Sequence, residues 1–141
     1  MEDRKPMIAG NWKMFKTCTE AAETAGQLAK LTSDVTGTDI MIAPTYTSLA
    51  LVSEKVKGSN VKVGAQNFFW ESHGAYTGEI SAEMIVSAGC NHVIIGHSER
   101  RQYFGETDES VNKKINAAIR AKLVPVMCIG ETESERDNDQ T

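Results

Sequence analysis

Five short apolar runs, each stopped by a turn or a polar residue and each followed by a segment with helical spacing, constrain this chain more than any other feature. They lie at residues 7–13, 39–44, 61–67, 93–96 and 123–130. Runs of this length, rich in Val and Ile, read as strands buried on both faces, the form that parallel sheets take. The segments between them carry helix signals. Thr17-Cys18-Thr19-Glu20 matches a capping box, and Cys18, Ala21, Ala22, Ala25, Leu28 and Ala29 follow as one stripe of mostly small side chains. A short helix is expected from about Thr45 with Leu49, Val52 and Val56 on one face, and another over 81–88 with Ala82, Ile85 and Val86 inward, closed by Gly89. After the fourth run a brief helix over 98–103 is broken by Gly105. Thr107 or Asp108 then caps a longer helix with Val111, Ile115, Ala118 and Ile119 at helical spacing, and residues 131–136 look like the start of one more. Strand and helix in strict alternation mean parallel strands joined by right-handed crossovers.

Two architectures satisfy that alternation, the doubly wound open sheet and the closed barrel. No G-x-G-x-x-G follows the first strand and no G-x-x-x-x-G-K-[ST] occurs, so the usual phosphate cradles of open sheets are missing. Strand ends that turn polar favour the barrel, whose sites gather at the carboxyl face. Pro125 assigns the last strand to an edge unless it falls near the strand's beginning.

The strand ends also nominate the chemistry. His97 follows Val93-Ile94-Ile95-Gly96 directly and opens a polar helical segment that Ser98 can cap. The positive end of that helix disfavours imidazolium, so the ring is expected to be neutral near pH 7 and to donate a hydrogen bond. Asn11 and Lys13 point the same way if the first strand persists to Lys13, which sets an amide and an ammonium in one mouth. The loop after the third strand carries Phe68, Phe69, Trp70 and Tyr76 between glycines, more aromatic surface than water tolerates, and is expected to meet a partner.

Composition bounds the rest. A chain of 141 residues, 40% hydrophobic and 24% charged, suits one globular unit. Nineteen acidic against fifteen basic residues, without a block of either sign, leave no basic footprint for nucleic acid. The polar start, residues 1–6, does not read as a secretory leader, and no apolar run approaches a membrane span, so a cytoplasmic protein is expected. Cys18, Cys90 and Cys128 are too scattered for a disulfide framework or a zinc site.

Gly10-Asn11-Trp12-Lys13-Met14, Ile95-Gly96-His97-Ser98-Glu99-Arg100-Arg101 and Cys128-Ile129-Gly130-Glu131 resemble the signature segments of the triosephosphate isomerase family. Gly64-Ala65-Gln66-Asn67 and Gly74-Ala75-Tyr76-Thr77-Gly78-Glu79 are similar to that family's third strand and intersubunit loop. A histidine held neutral by a helix N-terminus is that family's known pattern, so the residue reading of His97 and the resemblance are one observation.

The resemblance implies an α/β TIM (β/α)8 barrel, of which this chain holds about the first five strands and four to five helices. It implies interconversion of dihydroxyacetone phosphate and glyceraldehyde 3-phosphate through an enediolate, with no metal or organic cofactor. His97 would polarise the carbonyl and shuttle protons, Lys13 would offset substrate charge, and Asn11 would hydrogen-bond the developing oxyanion. Glu99 would lie beside Lys13. Tyr76, Thr77, Gly78 and Glu79 would form the homodimer contact, with Thr77 bracing the neighbour's Asn11 and Glu99. Cys128 would be a buried thiol near the site. The family's glutamate base, lid and phosphate loops have no counterpart in residues 1–141. The chain is therefore expected to be the amino-terminal part of one barrel domain and inactive alone. The competing reading is a non-catalytic half-barrel module that pairs with a copy of itself or another chain, because an open sheet exposes an edge and an apolar face.

Overall fold

The computed structural model describes residues 4–140; Met1–Asp3, which belong to the polar start, and Thr141 lie outside the described residues. Strands β1 (Met7–Asn11), β2 (Asp39–Ala43), β3 (Val61–Ala65), β4 (His92–Ile95) and β5 (Val124–Met127) form one sheet in sequential order, every pair parallel. A doubly wound sheet reverses its strand order at a switch point. The unbroken order here is that of consecutive barrel staves.

The connections are helices α1 (Cys18–Leu31), α2 (Leu49–Lys55) after a 3₁₀ turn at Tyr46–Ser48, α3 (Ala82–Ser87), α4 (Ser98–Phe104) and α5 (Asp108–Arg120), with α6 (Glu133–Asp137) after β5. The capping box at Thr17 forms, its N–H and hydroxyl both donating to Glu20 at 2.8 Å. Only Ala21, Ala22 and Ala25 of the small-residue stripe are buried, and Ala21 and Ala25 join the main core.

Strand alternation divides the apolar residues between two layers. Ile40, Ile42, Val61, Val63, Val93 and Ile95 face the helices and join Leu49, Val52, Ile85, Val111 and Ala118 in the main core. Met41, Ala43 and Ile94 form a smaller cluster on the other face, backed by Val126 and Cys128. The outer strands are not covered to the same extent: Ile8 is 66% exposed, and Val124 and Met127 are about half exposed. Pro125 is the second residue of β5, whose only strand neighbour among the described residues is β4. No helix among the described residues is long and apolar enough to cross a membrane. The three cysteines are free thiols, and burial pushes that of Cys90 up to about 12.

Several expectations change. Strands β1, β3 and β5 are shorter than the apolar runs suggested, and after β1 and β3 the polar residues Lys13, Gln66 and Asn67 leave the ladder. Val86 and Ile119 point outward, 43% and 60% exposed, since their helices roll to bury Ile85 and Ala118 instead. The aromatic loop is mostly not a free surface. Phe68 is in the main core, Phe69 is half-buried against Trp70 (centroids 4.2 Å) and Tyr76 (4.7 Å), and of the four only Tyr76 remains exposed.

Two predictions follow from burial. Gly89 ends α3 with φ +91°, and a Cβ there would come within 1.9 Å of Ser53 Oγ. Gly89→Ala is expected to lose about 2–4 kcal/mol in urea unfolding, from the left-handed strain and the overlap together. His92 is buried, and desolvation, with Lys62 nearby, depresses its pKa against the opposing pull of Asp39. The unfolded chain therefore binds the proton more readily, and stability falls as pH drops below the ordinary histidine value of about 6.5. His92→Gln should remove that slope and leave the carboxylate-driven loss at lower pH.

Candidate active site

The carboxyl ends of β1, β3 and β4 enclose a cleft of about 260 Å³. Asn11, Lys13, His97 and Glu99 all line it, joined by Gln66 and Asn67 from the end of β3 and Arg100 from α4. Tyr76, Thr77, Gly78 and Glu79 do not. They stand in an exposed loop whose base is tied by the Phe69 N–H donating to the Ile80 carbonyl at 2.8 Å.

Lys13 reaches the cleft by a different route from the one expected. The strand stops at Asn11, and Lys13 adopts φ +52°, outside any strand. Two bonds hold this uncommon backbone: the Lys13 N–H donates to Asn11 Oδ1 at 3.0 Å, and Gln66 Nε2 donates to the carbonyls of both Lys13 and Ala43 at 2.8 Å. With its oxygen engaged, the Asn11 amide keeps its two N–H donors for a further partner. Lys13 Nζ donates to Glu99 Oε1 at 2.6 Å, and this bond holds the Glu99 carboxyl below the usual carboxylate range.

His97, not Ser98, is the cap of α4. Its Nδ1 accepts the Glu99 N–H at 3.2 Å. A nitrogen that accepts a backbone N–H carries no proton, so the ring hydrogen belongs on Nε2. The helix starts at Ser98 as expected, and the cap passes from serine, the commoner cap, to its neighbour His97.

Beneath the cleft lies a network the sequence reading missed. Lys114, 4% exposed, donates to Glu106 Oε1 and, at 2.6 Å, to Asn67 Oδ1. Burial pushes the Lys114 ammonium down and the Glu106 hydrogen bond pushes it back. The available signal was its place in α5 one position before Ile115, on the face that Val111 and Ala118 share. Cys128 is half-buried nearby, and desolvation raises its thiol.

The family model described as triosephosphate isomerase matches residues 6–141. The chain belongs to the triosephosphate isomerase family. Among curated triosephosphate isomerases, that of Geotalea uraniireducens is 55% identical over 138 residues, covering 98% of this chain and 55% of the relative. That of Clostridium botulinum strain Loch Maree is 53% identical over the same shares. The crystal structure of triosephosphate isomerase from Bartonella henselae superposes with a TM-score of 0.88 at 39% identity, covering 98% of this chain and 57% of that one. The fold is thus a portion of a TIM barrel, and the chain spans about half the length of the curated relatives it matches.

The ion pair offers a direct check. Lys13→Met removes the group that depresses the Glu99 carboxyl, and a carbon-detected NMR titration should find that carboxyl back in the ordinary glutamate range, about 4.3. An unchanged titration would mean that Lys13 does not hold Glu99 in solution.

Proposed function

We propose that the cleft is part of a triosephosphate isomerase site, in which His97, Lys13 and Asn11 act on the oxygens of a triose phosphate. The observation that carries the reading is the Glu99 N–H on His97 Nδ1, which leaves Nε2–H as the ring's donor in a cleft that also holds Lys13 and Asn11. A neutral donor of this kind polarises a carbonyl and then passes its proton between the two oxygens of the enediolate. Lys13 lowers the energy of negative charge there, and the Asn11 amide donates to the developing oxyanion.

The reaction also takes a base that lifts a proton from carbon, and the carboxylates in and beneath the cleft are otherwise engaged. Glu99 is paired with Lys13 at 2.6 Å, and Glu106 is buried against Lys114. The 141-residue chain assayed alone is therefore expected to turn over triose phosphates roughly 10²–10⁴-fold more slowly than its longer relatives. Mixed with the carboxyl-terminal half of a relative, it should regain isomerase activity and bind a planar enediolate analogue with saturable shifts at His97 and Asn11 in NMR spectra. A stable inert oligomer that ignores that half would overturn the reading. It would instead favour the assembly module, which the exposed apolar residues Ile8, Met127 and Ile129 support.

The same family reading includes a homodimer through the loop around Thr77 and a cytoplasmic location. The exposed loop, and the apolar Met14 and Phe15 at 91% and 70% exposure, support the first. Three unpaired thiols support the second. Thr77→Arg should shift a dimer toward monomer in sedimentation velocity; an unaltered dimer would exclude this loop as the contact.

A further inference from the structure

We propose that Glu106 is a positioning residue for His97, acting through the backbone of Gly96. The residue between β4 and His97 has φ +76°, and a Cβ there would meet Val111 at 3.1 Å and Arg101 at 3.3 Å. Both of its backbone polar groups are held by side chains. The Gly96 N–H donates to Glu106 Oε2 at 3.1 Å, and its carbonyl accepts from Arg101 Nε at 3.0 Å. Arg101 is itself fixed by Asp108 at 2.7 Å. Glu106 is fixed by Lys114, which also holds Asn67 on the cleft wall.

One buried carboxylate thus ties the strand end before His97 to the wall of the cleft. The peptide after a left-handed residue sets the direction of the next side chain, and without these two bonds Gly96 has many conformations open to it. Clamping Gly96 fixes where the imidazole starts, and the Glu99 N–H fixes where it points. The catalytic consequence rests on the role proposed for His97, whereas the clamp is testable without turnover.

The test is residue-resolved amide hydrogen exchange on this chain. Glu106→Met with Lys114→Met removes acceptor and ammonium together and keeps the volume. Glu106→Gln with Lys114→Met removes the same charges and keeps a carbonyl to accept from Gly96. In the first variant the Gly96 and Glu99 amides should exchange about tenfold faster relative to Ile94 and Ile95; in the second, both should return close to the parent. Equal loss at all four amides, or unchanged protection at Gly96 and Glu99, overturns the proposal. Should the methionine pair not fold, Arg101→Ala frees the Gly96 carbonyl, and with it the exposed Asp108 carboxylate, while leaving Glu106 in place; a Glu99 amide that exchanges no faster than in the parent overturns it equally.

Discussion

A carboxylate buried under the cleft, that of Glu106, is the contact on which the rest of the site depends. Placed among apolar residues, it is tolerable only with its charge matched and its oxygens occupied, and Lys114 and the Gly96 N–H do both. Removing one partner of such a pair commonly costs about 3–5 kcal/mol, because a charge is left buried and alone. The pair therefore adds less to net stability than to a single arrangement of β4, α5 and the end of β3. Arg100 Nε, buried 3.9 Å from Glu106 Oε1 without a hydrogen-bond partner, belongs to the same charged layer.

Above that layer, side chains take up many of the backbone groups released at the strand ends. Asn11 accepts from Lys13, Gln66 donates to two carbonyls, Arg101 and Glu106 hold Gly96, and His97 caps α4. Parallel strands that stop together leave such groups in excess, and satisfying them with side chains places amides, an ammonium and an imidazole around one opening. Structure and chemistry thus draw on the same residues.

The alternation of runs and helices was legible because its periods are set by burial. The position of β4 and the capping box at Thr17 followed from local pattern alone. The barrel order was read from the polar strand ends, and the sequential pairing of β1 to β5 carries it. The meeting of Asn11, Lys13, His97 and Glu99 was legible from motifs, yet the route of Lys13 was not, since a positive φ in lysine has no sequence signature. Lys114 and Glu106 stayed hidden because charged residues are ordinarily read as solvent-facing, and only the tertiary pairing turns them inward. The aromatic loop was legible only in part: Phe68 belongs to the main core and Phe69 is half-buried against Trp70 and Tyr76, which composition cannot show.

The central claim is that the fold holds His97 with Nδ1 as acceptor and Nε2–H as donor in the cleft. Long-range nitrogen–proton correlation spectra of the histidine rings at neutral pH measure this directly. A bare Nδ1 and a protonated Nε2 at His97 are predicted. A proton on Nδ1, or rapid averaging of the two nitrogens, would contradict it.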